Sequence, residues 1–146
     1  MPSRHRARQR ALQILFLWDV RRPPVAEAIN AYYETLYSEE SEDIPPREPF
    51  VDSLVYGVVG HLDEIDDLIT RHAEHWRLER MPTVDRNVLR MAVLEMKELG
   101  TPAAVAIDEA LELARRYSGE NSIHFINGVL DAARRDIESA RSGEGS

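Results

Sequence analysis

The stretch HAEH, residues 72–75, has the histidine spacing best suited to metal chemistry in this chain of 146 residues. On a helix, His72 and His75 lie on neighbouring faces and Glu79 follows one turn later, so the three side chains are close enough to share an ion. The sequence lacks the wider signatures, since no glutamate stands three positions before a histidine and no HEXXH occurs. It therefore favours a solvated, mildly amphipathic helix face, and no metal ion is expected.

Other catalytic motifs are missing from the sequence as well. The chain has no cysteine, which excludes disulfides and thiolate nucleophiles, and it has no GxxxxGK[ST], GxGxxG or GxSxG motif. Adjacent carboxylates such as Asp66 and Asp67 belong to short acidic runs, which are usually solvated. We predict a non-catalytic protein without cofactors.

Positive charge is concentrated at the N-terminus, in Arg4, Arg6, Arg8 and Arg10. Residues 1–18 carry a formal charge of +4 and the remaining residues carry −12, which gives the net charge of −8. This split indicates contact with a polyanion, although an ordinary solvated terminus is the alternative. On a helix the arginines form two rows about 160° apart, Arg4 with Arg8 and Arg6 with Arg10. Arginines one turn apart repel each other, and either a polyanion lying against the helix or a disordered arm would relieve that repulsion.

The apolar segment after these arginines, ALQILFLWD, is too short for a membrane span and is interrupted by Gln13. It also lacks the small-residue cleavage pattern of a signal peptide. Together with a charged fraction of 30% and the lack of cysteine, these features indicate a soluble, cytoplasmic protein with no membrane partner.

Apolar residues recur at helical spacing along the chain, and no alternation is long enough for a strand. Seven helices are expected, over residues 3–22, 25–37, 49–60, 62–76, 83–100, 105–119 and 122–137. Ser3 and Ser122 are expected as N-caps, Gly100 as a left-handed C-terminal residue, and Gly128 as a point of close packing against the first helix. The acidic residues 38–48 predict a loop. We predict an all-α protein with one domain over residues 1–140 and a disordered tail over residues 141–146.

Four segments of the sequence are similar to one known family: SRHRARQRALQILFLWD, VDRNVLRMAVLEM, PAAVAIDEALELARRYSGENS and HFINGVLDAARR. They span most of residues 3–137, and FINGVLD with VAIDEALELA upstream is a specific combination. The chain resembles the NusB family of bacterial transcription antitermination factors. This resemblance implies an all-helical fold of two packed three-helix-type bundles and the function of an adaptor without catalysis.

The resemblance also implies partners. NusB-like proteins bind single-stranded RNA that carries the boxA element of ribosomal RNA operons, together with NusE, a ribosomal small-subunit protein. Through these partners they act on the RNA polymerase elongation complex indirectly. Some relatives self-associate, so a homodimer stays open. The alternative function is an acidic helical protein-interaction module without specific RNA binding.

The residues that the resemblance implies for RNA binding are Arg4, Arg6, Arg8, Arg10, Gln13, Phe16, Tyr117, Ser118, Asn121, Ser122 and Phe125. The arginines would contact phosphates, whereas Tyr117 and Phe125 would stack on bases. Phe16 and Phe125 also lie in apolar rows, so burial in the core is the alternative for both. The residues facing NusE would be Asp85 and Arg86.

Overall fold

The computed structural model describes residues 3–40 and 47–144, and the chain divides into two compact units, residues 1–60 and 61–146. The described residues contain no strand and form seven α-helices: α1 Arg4–Arg21, α2 Val25–Glu40, α3 Pro49–Gly60, α4 Leu62–His72, α5 Thr83–Lys97, α6 Ala103–Tyr117 and α7 Glu120–Glu144. A short 3-10 helix, Leu78–Arg80, precedes α5. The prediction of an all-α protein with seven helices is confirmed. No helix in these ranges combines the length and the apolar character that a membrane span requires.

Unit 1, residues 1–60, is built around α1, which packs against both α2 and α3. Ser3 caps α1 as predicted, because its side chain accepts the backbone N–H of Arg6 at 3.4 Å. Arg22 ends the helix in a left-handed conformation, with φ 50°, next to Pro23. The largest apolar contributions to its core come from Ile14, Leu15, Trp18, Ile29, Tyr33, Val51, Leu54, Val55 and Val58.

Helix α2 extends into the segment that was predicted as a loop, residues 38–48. Residues 38–40 continue α2, so the expected start of the loop at residue 38 is wrong. Residues 47 and 48 precede α3 without regular structure, and residues 41–46 of the predicted loop lie outside the described ranges. Pro49 begins α3 as expected, since its fixed φ suits the first helical turn.

Unit 2, residues 61–146, is organised around α5, which packs against α4, α6 and α7. These neighbours bury every residue of α5 from Asn87 to Met96. Arg90 is 1% exposed, and its guanidinium donates to both carboxylate oxygens of Asp66 on α4, at 2.8 and 3.0 Å. Another bond of 3.0 Å joins Arg90 to the side-chain oxygen of Asn87. This pairing is required because an unpaired charge in a core is strongly destabilising.

Helix α4 is shorter than its apolar pattern predicted. It ends at His72, and the following residues turn away from the helix, with His75 in a left-handed conformation at φ 68°. Residues 73–75 form a turn in which the backbone N–H of Trp76 donates to the Ala73 carbonyl at 3.1 Å, and Trp76 lies outside any helix. The expectation of a helix through residue 76 is wrong.

Helix α7 is longer than predicted at both ends. It begins at Glu120, so Ser122 lies in its first turn, and the predicted capping role of Ser122 is wrong. It continues to Glu144, so residues 141–144 of the predicted tail are helical, while residues 145–146 lie outside the described ranges. Arg141 explains part of this extension, because its guanidinium donates to the carbonyls of Met96 and Lys97 at the end of α5, at 2.6 and 3.1 Å.

Two glycines were expected to have special surroundings. Gly100 follows α5 with φ +72°, which confirms the predicted left-handed conformation. A Cβ added to Gly128 would meet no atom of the described chain within 4 Å, so the expected close packing there is wrong.

Candidate nucleic-acid interface

Two of the four N-terminal arginines share an aromatic ring in unit 1. The guanidinium carbon of Arg4 lies 3.9 Å from the centre of the Phe50 ring, and that of Arg8 lies 5.3 Å from it. Phe50 is in the first turn of α3, which packs against α1. Because a ring face attracts cations, Phe50 offsets the repulsion between Arg4 and Arg8. This row of arginines therefore needs neither RNA nor disorder to be accommodated.

The same four arginines differ in exposure. Arg8 is 5% exposed, and Arg10 is half-buried and pairs with Glu48 at 3.3 Å. Arg4 and Arg6 are exposed, and neither side chain has a carboxylate partner within residues 3–40 and 47–144. A phosphate can reach Arg4 and Arg6 directly, whereas Arg8 and Arg10 already contribute to the fold of unit 1.

Gln13 and Phe16, the other two α1 residues implied for RNA binding, also lie in different environments. The side-chain carbonyl of Gln13 accepts a hydrogen bond from the Tyr32 hydroxyl on α2 at 2.7 Å, so part of this amide already stabilises the helix pair. Phe16 is 41% exposed, and the alternative that it belongs to the core is wrong. Trp18 is the core aromatic of α1 instead, at 4% exposure.

A groove of about 550 Å³ lies between α1 and α2. Its lining includes Leu17, Val20, Ala28 and Ala31, with Glu27 among its polar residues. Leu17 and Val20 are 48% and 66% exposed. Complete burial of such a side chain is worth about 1.5–3 kcal/mol, so this groove suits an apolar partner surface. Sequence reasoning missed it, because Leu17 and Val20 belong to the same apolar run as the core residues of α1.

In unit 2, a cavity of about 210 Å³ lies beside the first turns of α5 and α7 and the turn after α4. Its lining combines aromatic, apolar and polar side chains: Trp76, Met81, Pro82, Asp85, Asn121, Ser122 and Phe125. Three residues implied for RNA binding, Asn121, Ser122 and Phe125, thus share this cavity with Asp85. No arginine or lysine lines it within the described chain. The cavity therefore suits a planar group with hydrogen-bond donors better than an anion.

A chain of hydrogen bonds fixes the polar side of this cavity. Ser122 Oγ donates to Asp85 Oδ2 at 2.7 Å, and the hydroxyls of Ser118 and Ser122 lie 2.9 Å apart. Asp85 is 4% exposed, and its other oxygen, Oδ1, is buried without a hydrogen-bond partner among the described residues. Because this oxygen has almost no exposed surface, Asp85 contributes to the site by holding the Ser122 hydroxyl in place, and it does not bond to a ligand directly.

Two aromatic rings, Trp76 and Phe125, line the cavity in unit 2, and Tyr117 is not among its lining residues. Phe125 is half-buried and packs edge-on against Trp76, with ring centres 5.9 Å apart and planes at 62°. Tyr117, at the end of α6, lies 5.5 Å below the guanidinium of Arg116. Sequence reasoning missed Trp76, which was placed in a predicted helix. Trp76 directly follows the turn at His75. That position could be recognised only from the structure, because the sequence predicted a helix through residue 76 and α4 ends at His72.

The residues expected to face NusE, Asp85 and Arg86, have separate environments. Asp85 is buried and bonded to Ser122, and so belongs to the same cluster as the residues implied for RNA binding. Arg86 is half-buried and has interactions of its own within the described chain. Their role in partner binding stays a prediction.

The histidine and carboxylate groups do not assemble as the metal hypothesis required. His72 bonds to Asp136 at 2.9 Å, and the end of α4 at His72 separates it from His75 and Glu79. The described residues bring together a different group, His61, Glu64 and Glu98, whose ligand atoms lie within 4.8 Å of one another. Lys97 already pairs with Glu64 at 3.2 Å, so this exposed group behaves as an ion-pair network.

Residues 5–135 match a protein-family model, the NusB family. The chain belongs to the NusB family. A transcription antitermination protein NusB of Solibacter usitatus (strain Ellin6076) is 68% identical over 137 residues, which cover 94% of this chain and 92% of that protein. The prediction of the family from the sequence is confirmed.

Solved NusB structures have the same fold. A T. maritima NusB structure has 34% sequence identity and a TM-score of 0.78, and the alignment covers 92% of both chains. A crystal structure of antitermination factors NusB and NusE in complex with dsRNA contains a chain with 28% identity and a TM-score of 0.77, covering 92% of this chain and 99% of that one. The NusB match includes every residue implied for RNA binding except Arg4, which precedes it.

Proposed function

We propose that this protein is a cytoplasmic, non-catalytic transcription antitermination factor that binds boxA-containing single-stranded RNA of ribosomal RNA operons together with NusE. The observation that carries the proposal is the cavity in unit 2, where Asp85, Asn121, Ser122 and Phe125 meet. These residue types supply a ring face and hydrogen-bonding groups, which are the features that single-stranded RNA readers use. Membership of the NusB family supports the same function.

The cavity suits a base rather than a phosphate. Asn121 is exposed and offers both a donor and an acceptor, so a base edge that carries an N–H group can bond to it. Phe125 presents a ring face for stacking, which is worth about 1–3 kcal/mol per base. A phosphate would meet the charge of Asp85 without a compensating cation in the cavity lining. Base selection is therefore assigned to unit 2.

Phosphate contacts are assigned to the exposed arginines of α1. Each phosphate neutralised on a single strand contributes about −0.7 to the slope of log affinity against log salt. All four arginines would give a slope near −3, whereas Arg4 and Arg6 alone give about −1.4. The burial of Arg8 and the pairing of Arg10 with Glu48 favour the smaller value.

The groove between α1 and α2 is the surface that best fits NusE. It exposes Leu17 and Val20, and NusE is the protein seen with a NusB relative in a solved complex.

Val20→Asp places a charge in this groove and is expected to abolish NusE binding while leaving RNA binding intact. Arg86→Glu tests the other surface, and a loss of NusE binding only in Arg86→Glu would move the partner site to α5. Self-association of the protein alone that disappears in Val20→Asp would instead assign the groove to a homodimer.

The proposed function is tested by fluorescence anisotropy with three labelled RNAs, boxA, a scrambled single strand and a duplex, over a salt series. The protein is measured alone and with NusE. We expect preference for boxA that increases with NusE and decreases with salt. Duplex preference would show that the protein reads RNA shape instead of single-stranded bases. Equal and weak binding to all three would favour the acidic protein-interaction module without specific RNA binding.

The effect on the RNA polymerase elongation complex is expected to be indirect. A reconstituted elongation complex transcribing a boxA template should retain this protein only when NusE is present. Retention on a template without boxA and without NusE would contradict that expectation.

A further inference from the structure

Trp76 has an unusual environment for a tryptophan. The chain contains two tryptophans, and Trp18 is 4% exposed whereas Trp76 is 53% exposed. An exposed indole forgoes the large stabilisation that burial of its apolar surface would provide. Tryptophans left at a surface are enriched where another molecule covers them. Trp76 also lines the cavity that contains Asp85 and Asn121.

The side chain of Trp76 is held in place before any ligand arrives. Its backbone N–H donates to the carbonyl of Ala73 at 3.1 Å, and His75 adopts the left-handed conformation that closes this turn. The edge-on contact with Phe125, at 5.9 Å between ring centres, fixes the indole from a second side. A residue fixed in this way loses little conformational entropy on binding.

We propose that Trp76 is a further RNA-binding residue, whose exposed ring face stacks on a base of single-stranded RNA at the mouth of the unit 2 cavity. This inference rests on the proposed function and adds a residue that no sequence motif assigned. The rings of Trp76 and Phe125, whose planes meet at 62°, then provide stacking surfaces for adjacent bases, while Asn121 contacts a base edge.

The chemistry of the lining favours a base over the arginine of a protein partner. A guanidinium also stacks on indole and donates to a carboxylate, but it has no acceptor for the amide N–H groups of Asn121. A base edge presents donors and acceptors together, so it can bond to both the carbonyl oxygen and the N–H groups of the Asn121 amide. An arginine-containing partner is therefore the competing occupant that the experiment must distinguish.

Intrinsic fluorescence tests the proposal directly, because a base stacked on Trp76 quenches its emission. Unlabelled boxA RNA is titrated into the wild type and into Trp76→Phe, in which the buried Trp18 is the remaining emitter. We expect quenching in the wild type and its loss in Trp76→Phe. Anisotropy on labelled boxA should show affinity within about threefold for Trp76→Phe, which keeps a ring, and at least tenfold weaker binding for Trp76→Ala.

Tyr56→Ala is the matched control, because Tyr56 is an exposed aromatic of α3, at 49% exposure, that is assigned to no site. Its RNA affinity should stay within twofold of the wild type. Equal RNA affinity of Trp76→Ala and the wild type, with urea unfolding unchanged, would overturn the role of Trp76 and leave the proposed function standing. Loss of NusE binding without loss of RNA binding in Trp76→Ala would assign the site to a protein instead. Absence of RNA binding in the wild type would overturn both proposals.

Discussion

The two units differ in the side chains that they leave accessible to a ligand. In unit 1, the Phe50 ring holds Arg4 and Arg8, and Arg4 stays exposed as a cation. In unit 2, the buried Arg90 is bonded to Asp66 and Asn87, and the described lining of the cavity contains Asn121 and aromatic rings but no arginine or lysine. Unit 1 thus offers positive charge, and unit 2 offers acceptors and ring faces. Phosphate contacts give affinity for RNA, whereas base contacts give preference for one RNA sequence. We therefore assign affinity to unit 1 and sequence preference to unit 2.

The largest expected effect comes from breaking the charge pair of unit 2. Asp66→Ala leaves the guanidinium of Arg90 buried without its carboxylate, which should destabilise the protein by about 3–5 kcal/mol. Urea unfolding followed by the loss of helical circular dichroism measures this change. Asp67→Ala, an exposed neighbour, is the control and should change the free energy of unfolding by less than about 0.5 kcal/mol. Similar stability for the two variants would contradict a structural role of the pair.

A pair of arginines on α1 sharpens the assignment of phosphate contacts to unit 1. Arg8→Ala should destabilise the protein by about 1–3 kcal/mol, because a buried guanidinium and its packing are lost. Arg6→Ala should leave stability unchanged and reduce the salt slope of RNA binding by about 0.7. Urea unfolding and anisotropy on both variants separate the two effects. A reduced slope in folded Arg8→Ala with an unchanged slope in Arg6→Ala would reverse the assignment.

A smaller gain in stability is expected from Gly128→Ala in α7. The added methyl group meets open space, and glycine inside a helix is less favourable than alanine by roughly 0.5–1 kcal/mol. The midpoint of urea unfolding should rise accordingly. A fall in the midpoint would indicate that Gly128 is packed more closely than the structure describes.

The smallest effect concerns the pH dependence of unit 2. Hydrogen bonds from His72 and then Arg71 lower the pKa of Asp136, so its carboxylate is more acidic in the folded chain than in the unfolded one. A lowered pKa stabilises the fold above the unfolded value of about 3.9, and this contribution is lost as the pH falls through the folded value. Asp136→Asn should remove that part of the acid sensitivity, measured as the urea midpoint between about pH 2 and 6. An unchanged acid profile in Asp136→Asn would contradict it.

Local patterns predicted most of the helices correctly, because their causes lie within a few residues of each other. Ser3 accepts the N–H three positions on, Pro49 has the φ of a first turn, and Gly100 tolerates a left-handed backbone. Errors occurred where distant residues intervene. The end of α7 is an example, since Arg141 bonds to carbonyls more than forty residues earlier in the chain.

The candidate site was predictable only in part. The resemblance to NusB located Asn121, Ser122 and Phe125, and the structure places these three around one cavity. The resemblance could not distinguish exposed from buried arginines. Arg6 and Arg8 are the same residue type two positions apart, yet Arg6 is exposed and Arg8 is buried. Trp76 was missed for a related reason, since its exposure depends on where α4 ends.

By itself, the sequence determined the helical class, the family and the concentration of positive charge at one end, since periodicity, motif and composition are properties of the chain. Tertiary structure alone decided which charges are available to a ligand. The ring of Phe50 reaches Arg4 and Arg8 from another helix, and packing buries Asp85, which is bonded to Ser122. Availability depends on burial and pairing across helices, and those are fixed only when the helices pack.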